Sequence, residues 1–307
     1  MKNLLEVLKK YSNKEIILLG HDNPDCDSII SAFLISKLLD FKGIANKIII
    51  PTEIDEETKN LLSFFKDNKC LNNLNNYKGS INEDDVVLLL DHNKTNYQCN
   101  VLGCIDHHPT IDTFEYDFYV NKSSSSTAKL VFHLMEEYNY PINKEIAEMV
   151  CFSVFIDTCS LKSTKCPEED KVWVKNYTEE WGIDYDKLYE KGLILTDLSQ
   201  NIYNIIKNGY KEYMYEGIKV CSSYIQINNN CEEDTINEFI KNLKRYFENG
   251  DMKLWAFLII DFGRNQTREY RLSYKKLDIR VHDGILSRGA NIMPNIQKNI
   301  KSLIKPY

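Results

Sequence analysis

Four short polar clusters in this chain carry the residue types that bind metal ions and move protons. His21, Asp25 and Asp27 lie in Gly20-His-Asp-Asn-Pro-Asp-Cys-Asp-Ser28. Asp91 follows the apolar run Val86 to Leu90, Asp106-His107-His108 closes on Val101 to Ile105, and Asp157 follows the apolar stretch Met149 to Ile156. Each cluster falls where a buried element would end, and open α/β sheets bind ligands beyond the carboxyl ends of their strands. If these ends converge, five carboxylates (Asp25, Asp27, Asp91, Asp106, Asp157) and three imidazoles (His21, His107, His108) share one cleft. Carboxylates that close repel one another, and their pKa values climb unless cations neutralise them. Mixed imidazole and carboxylate donors suit Mn²⁺, Co²⁺ or Mg²⁺ better than a thiolate zinc site does. More carboxylates than one ion can use points to two ions, typically about 3.5–4 Å apart. Such a pair activates a bridging water and clamps the attacking and leaving oxygens of a phosphoryl group.

Each residue also has a plainer reading. A lone aspartate after a strand, such as Asp91, is commonly a turn residue. His21 alone is a loop histidine, Asp27 a helix N-cap, and Asp157 the cap of a following turn. The plain readings are hard to hold together, because all four clusters fall at element ends. His133 is expected to be structural, on an apolar helix face with Leu130, Phe132 and Leu134, while His92 and His282 read as loop residues.

The elements that must position these groups are visible as hydrophobic pattern. Glu15 to Leu19, Asn46 to Ile50, Val86 to Leu90 and Val101 to Ile105 read as short buried strands, the first stopped by Gly20. Helices are predicted over Asp27 to Leu39 and over 56–66, 127–138, 143–156 and 168–181. Strand–helix alternation of this kind predicts an α/β fold with a mostly parallel, doubly wound sheet covered on both faces. The pattern loosens around Gly192 to Ser199. Beyond it, strands are predicted at Ile218 to Ile227, Leu254 to Asp261, Arg268 to Tyr274 and Ile279 to Leu286, with helices at 233–247 and 294–305. This predicts a first domain over 1–191, a linker over 192–199 and a smaller α/β domain over 200–307. The Asn-rich patches Leu71 to Tyr77 and Ile227 to Asn230 read as surface loops, and Ser123 to Ser126 as mildly low in complexity.

Composition narrows the class. The chain has 307 residues with 43% apolar and 27% charged side chains, which excludes a disordered tail or a fibre. A formal charge of −7 argues against bulk binding to nucleic acid or anionic membranes. The longest purely apolar run, Leu254 to Ile260, falls far short of the ~20 residues of a membrane helix. The N-terminus lacks the uninterrupted apolar core of a signal peptide. Nine cysteines without a Cys-x-x-Cys pair suggest free thiols in a reducing cytoplasm. Neither Gly-x-x-x-x-Gly-Lys nor Gly-x-Gly-x-x-Gly is present, so a kinase-like or dinucleotide-binding reading lacks its phosphate cradle.

The order His-x-x-x-Asp-x-Asp, Asp, Asp-His-His, Asp resembles the DHH phosphoesterase superfamily. Within it, the chain looks most like the family II, manganese-dependent inorganic pyrophosphatases with their exopolyphosphatase and prune relatives. Gly20 to Ser28, Leu89-Leu-Asp-His-Asn93, Cys104-Ile-Asp-His-His108 and Ser153-Val-Phe-Ile-Asp157, followed by Leu161-Lys-Ser163 and Cys166, carry the resemblance. It continues in Asp283-Gly-Ile-Leu-Ser-Arg288 of a DHHA2-like second domain. The resemblance implies two Mn²⁺ ions in a cleft between the domains. One would be held by His21, Asp25, Asp91 and Asp157, the other by Asp27, Asp91, His107 and Asp157. His108 would meet the bridging or leaving oxygen of the substrate, Arg288 would clamp the distal phosphate, and Lys211 sits about where the family keeps a phosphate-binding lysine. The implied reaction is hydrolysis of pyrophosphate to two phosphates, by a cytoplasmic enzyme that pairs through its first domain. The alternatives are an exopolyphosphatase, a nucleotide or oligonucleotide phosphoesterase of the same superfamily, or a silent phosphate or nucleotide sensor. The oligonucleotide branch usually carries a Gly-Gly-His element that is missing here. One departure bears on substrate: the family continues Ser-Arg with two lysines, whereas Arg288 is followed by Gly289-Ala290-Asn291.

Overall fold

The computed structural model describes residues 3–304 apart from 69–70, 72–73, 109, 111–113, 208, 229–231, 249–252 and 274–275. The chain divides into two units, the first running to Leu161 and resuming over Cys166–Leu193, the second comprising Lys162–Lys165 and the chain from Ile194 onward.

The first unit contains α1 (Leu4–Leu8), β1 (Ile16–Leu19), α2 (Cys26–Phe41), β2 (Asn46–Ile49), α3 (Glu56–Leu62), β3 (Val86–Leu90), β4 (Asn100–Asp106) and β5 (Phe118–Asn121). It continues through α4 (Thr127–Glu137), α5 (Lys144–Asp157), α6 (Glu168–Glu180) and α7 (Tyr185–Gly192). The five strands are all parallel, in the order β2-β1-β3-β4-β5. Every residue of β1 and β3 is buried, as the unbroken Ile/Leu/Val runs required. Alternate side chains go to opposite faces. Ile16, Leu18, Val86 and Leu88 join the large core built by the helices. Ile17, Leu19, Val87, Leu89 and Cys104 form a smaller cluster on the other face, overlaid by side chains such as Tyr97, Tyr116 and Tyr119. Strand order reverses between β1 and β3, so the crevice beyond their carboxyl ends is the topological switch point.

The second unit holds α8 (Ile202–Lys207), β6 (Lys211–Tyr215), β7 (Ile218–Ile227), α9 (Glu233–Glu248), β8 (Leu254–Asp261), β9 (Gln266–Ser273), β10 (Lys276–Asp283) and α10 (Met293–Ile304). Its sheet runs β10-β9-β8-β7-β6, parallel only at β7/β8. Trp255, Phe257 and Ile259 pack with Phe239 and Leu243 of α9 in its core.

Several sequence expectations are corrected. The last strand begins earlier than Ile279 and ends at Asp283, because Gly284 (φ +84°) turns the chain and Leu286 N–H leaves the ladder for Thr267 Oγ1. His282 is therefore a strand residue, 3.0 Å from Glu269, rather than a loop residue. His133 does not face the core; its side chain is 47% exposed and bonds Glu136. The predicted helix over 56–66 is α3 followed by a 3₁₀ turn, and α1, α7, α8, β5 and β6 had no expectation. In the serine run read as mildly low in complexity, Ser123 is exposed while Ser124, Ser125 and Ser126 are buried. Residues 229–230 of the second Asn patch lie outside the described residues. The seven cysteines described are free thiols. Among the described residues, no helix is long and apolar enough to cross a membrane.

Candidate metal centre

The structure gathers His21, Asp25, Asp27, Asp91, His107, His108 and Asp157 at the switch point of the first unit. Gly20 ends β1 so close to α2 that a Cβ there would meet Ser28 Oγ. The turn delivers His21, then Asp25 as N-cap of α2, whose Oδ1 accepts Ser28 N–H at 3.1 Å. The cap is thus Asp25 rather than Asp27, which lies inside the first helical turn. Asp91 follows β3 with φ +64°, a left-handed conformation that costs a non-glycine residue up to about 1–2 kcal/mol. Its N–H still bonds Ile105 O at 2.9 Å, which fixes the strained residue against β4. Asp157 is the last residue of α5.

Each histidine presents a defined nitrogen. His21 Nδ1–H donates to Asp22 O at 2.8 Å and His107 Nδ1–H to Ser124 O at 2.9 Å. A carbonyl only accepts, so both rings carry the proton on Nδ1 and turn Nε2 inward as a lone-pair donor. His108 Nδ1–H donates to the buried Asp106 carboxylate at 2.9 Å, and its side chain is 38% exposed. Asp106 also accepts from Asn93 and Asn121.

Around these atoms the spacing is that of ligands rather than of hydrogen bonds. His21 Nε2 lies 3.5 Å from Asp25 Oδ2 and 3.4 Å from Asp91 Oδ2. His107 Nε2 lies 3.5 Å from Asp91 Oδ1, 3.4 Å from Asp157 Oδ2 and 3.9 Å from Asp27 Oδ2. Two donors bound to one cation at about 2.1 Å stand about 3.0–3.4 Å apart at octahedral to tetrahedral angles. Asp91 faces one group with Oδ2 and the other with Oδ1. Among the described residues, three donor groups emerge that could hold a metal ion, His21–Asp25–Asp91, Asp27–His107–Asp157 and Asp91–His107–His108.

Electrostatics points the same way. Burial pushes Asp27 well above the usual carboxylate range, reinforced by the charges of Asp91, Asp157 and Asp25; the Ala128 N–H pulls it down. Burial also acts to raise Asp91, but His21, His108 and His107, when a proton rather than a metal ion occupies their inward nitrogens, hold it well below that range. Asp157 sits at the negative end of the α5 dipole, where a carboxylate is disfavoured. A cluster of buried carboxylates on these terms is relieved by cations, and the imidazole–carboxylate donor set fits a pair of divalent ions.

Four contributors were missed in the sequence. Thr127 N–H and Ala128 N–H, at the start of α4, donate to Asp27 Oδ2 and Oδ1 at 2.7 and 2.9 Å. Thr127 Oγ1 donates to Asp91 Oδ1 at 2.9 Å, and Ser153 Oγ to Asp27 Oδ1 at 2.7 Å. Ser153 lies one turn before Asp157 on α5, a helical spacing visible in the sequence. His92 donates from Nδ1 to Leu90 O and stands edge-on to His21, centroids 6.5 Å apart; burial pushes it down to about 4, so it is neutral.

Arg288 and Lys211 belong to the second unit. Arg288 opens a π-helical turn (Arg288–Ile292), donates to Gly209 O, and lies 5.3 Å from the Tyr224 ring centroid. Lys211 begins β6, paired with Ser222 of β7.

Residues 15–154 match the DHH family, N-terminal domain. The chain is 27% identical to a probable manganese-dependent inorganic pyrophosphatase of Bacillus cereus, covering 92% of this chain and 97% of that one. It is 28% identical to the manganese-dependent inorganic pyrophosphatase of Methanothrix thermoacetophila over 69% of this chain and 70% of the relative. Among solved structures, a putative family II inorganic pyrophosphatase of Methanococcus jannaschii shares the fold, with a TM-score of 0.75 at 21% identity over 92% of this chain and 98% of that one.

Proposed function

We propose that this chain, whose residues 15–154 are a DHH family N-terminal domain, hydrolyses phosphoanhydride bonds with two Mn²⁺ ions, and that its substrate is pyrophosphate. The observation that carries the reading is Asp91, which offers one carboxylate oxygen to the His21–Asp25 group and the other to His107. His21, Asp25 and Asp91 would hold one ion, and Asp27, Asp91, His107 and Asp157 the other, with Asp157 reaching toward both. Similarity to manganese-dependent pyrophosphatases over nine-tenths of the chain supports the metal and the substrate. When bound, the ions neutralise phosphate charge and acidify water enough to make it a nucleophile at neutral pH.

The chain's own groups do the rest. Asp27 is held by the N-terminus of α4 and Ser153, so it presents Oδ2 in one orientation. Asp106 holds the proton on His108 Nδ1, and a second proton on Nε2 would make this ring the acid that meets the substrate's leaving oxygen. Arg288 and Lys211 are assigned to phosphate binding; Arg288 bonds the carbonyl of Gly209, two residues from Lys211. A second reading is favoured by Gly289: without a lysine there, a longer polyphosphate or a nucleotide of lower charge density loses less than pyrophosphate does. The test is phosphate release from pyrophosphate, tripolyphosphate, long polyphosphate and phosphoadenosine with Mn²⁺. Release from pyrophosphate should dominate and disappear in chelator, in Asp157→Ala and in His107→Ala. Full activity in chelator or in either variant refutes the metal reading, and faster release from a longer chain replaces the substrate.

A further inference from the structure

The strap Ser124–Ala128 touches three of the acidic and imidazole groups at once. Ser124 O accepts from His107, Thr127 N–H and Ala128 N–H donate to Asp27, and Thr127 Oγ1 donates to Asp91. Behind it, away from the donor atoms, lies a buried ion pair that the reaction does not use. Lys129 Nζ is 2.5 Å from Asp170 Oδ1, while Asp170 Oδ2 accepts Ser125 N–H at 2.8 Å. Both residues are buried, and the ammonium also stands 5.1 Å from the Trp173 ring centroid. Asp170 comes from the first turn of α6, and Lys129 N–H bonds the N-capping Ser126 Oγ at 3.2 Å. The pair therefore grips the strap at the Ser125 amide and at its helical end.

We propose that Asp170 and Lys129 are positioning residues of the metal centre: they fix the Ser124–Ala128 strap, and through it the aim of His107, Asp27 and Asp91, before any ion arrives. The inference rests on the metal-binding reading above. A buried ion pair is weak ground for stability, since well-packed apolar residues of similar size often replace one at no loss. What apolar residues cannot replace is the acceptor for Ser125 N–H. Groups that hydrogen-bond a ligand directly, as Ser124, Thr127 and Ala128 do, are worth about 10–100-fold in metal affinity, and the ion pair acts through them.

The experiment measures Mn²⁺ binding by electron paramagnetic resonance of the free ion, on wild type, Asp170→Asn and the double variant Lys129→Met/Asp170→Leu, with thermal denaturation of each metal-free protein. The double variant should lose only about 5- to 150-fold in its folding equilibrium, the about 1–3 kcal/mol of an orphaned amide, and remain folded. It should yet bind Mn²⁺ up to about 10–100-fold more weakly, with turnover recovering at saturating Mn²⁺. Asp170→Asn keeps an acceptor oxygen for Ser125 and should fall between. Unchanged Mn²⁺ affinity in the double variant overturns the proposal. Wild type that binds no Mn²⁺ overturns the metal reading instead. Independently of any variant, hydrogen exchange on metal-free wild type should show the amides of Ser125, Thr127 and Ala128 protected; fast exchange there, with protection only after Mn²⁺, also overturns it.

Discussion

Thr127→Val changes one group in the site and nothing in its shape. The Oγ1–H bond to Asp91 Oδ1 is 2.9 Å long and buried at both ends, while the backbone bond from Thr127 to Asp27 survives the substitution. Hydrogen bonds to charged groups contribute about 1.5–3 kcal/mol, equivalent to about 10- to 150-fold in an equilibrium constant. Against that, the left-handed backbone of Asp91 costs up to about 1–2 kcal/mol, so the hydroxyl roughly offsets the strain. Without it the carboxylate turns more freely, and its two oxygens must be re-aimed when ions bind. Metal-free Thr127→Val should therefore lose about 1.5–3 kcal/mol of unfolding free energy and about 10–100-fold in Mn²⁺ affinity. Thr127→Ser separates packing from aim: losing the methyl costs about 1 kcal/mol of stability but keeps the bond and the affinity. Urea unfolding and Mn²⁺ titration read the two quantities. Unchanged Mn²⁺ affinity in Thr127→Val, or an equal loss in Thr127→Ser, refutes the reasoning.

Glu57 is pushed by burial, then by Asp55, from the ordinary 4.5 to about 7. A raised pKa contributes stability that is complete below about 4.5 and lost as pH climbs through 7, a difference of about 3 kcal/mol. Glu57→Gln should remove that decline and be the more stable protein at pH 8; parallel pH profiles of unfolding count against it. Gly103→Ala would place a Cβ 2.0 Å from Phe118 O, a backbone atom across the β4–β5 ladder that cannot step aside. It should cost about 1–3 kcal/mol or more and lower the melting temperature, and an unchanged melting temperature contradicts that geometry. Gly289→Lys should raise turnover of pyrophosphate relative to tripolyphosphate, whereas an unaltered preference removes the charge argument for the second reading.

The strands and the helices carrying the site were legible because parallel strands buried on both faces leave unbroken apolar runs, as in Ile16 to Leu19 and Val86 to Leu90. The polar clusters at their ends were legible for the same reason: a chain that leaves such a run and meets Gly20-His21 or Asp91 has only the switch point to enter. What was not legible is long-range. Nothing around Ser124 announces that its carbonyl fixes the tautomer of His107, since a carbonyl has no sequence identity. The serine run looked like low complexity because small polar residues mark loops by default, yet here their backbone groups are buried acceptors and donors. β5 was missed because Phe118 to Asn121 is a short edge strand with alternating burial, too brief for periodicity to register. His133 was misplaced because a helix with Leu130, Phe132 and Leu134 around it still has one wet face, and a shift of one residue along α4 decides which.

Of the two helix ends at the site, one works against the carboxylate beside it when no cation is bound, and this has a measurable sign. Asp27 lies at the positive N-terminus of α4, which favours its charge, but Asp157 lies at the negative C-terminus of α5 and adds to the repulsion that lifts Asp27. A carboxylate in that place serves folding poorly, and sites arranged for function carry such costs. Asp157→Asn should thus stabilise the metal-free protein by about 0.3–1 kcal/mol while removing most of the rise in melting temperature that Mn²⁺ confers on wild type. Opposite effects of one substitution, read by thermal denaturation with and without Mn²⁺, distinguish a ligand from a structural cap. If Asp157 were merely capping the turn that follows α5, the substitution would lower stability in both conditions and leave the Mn²⁺ response intact.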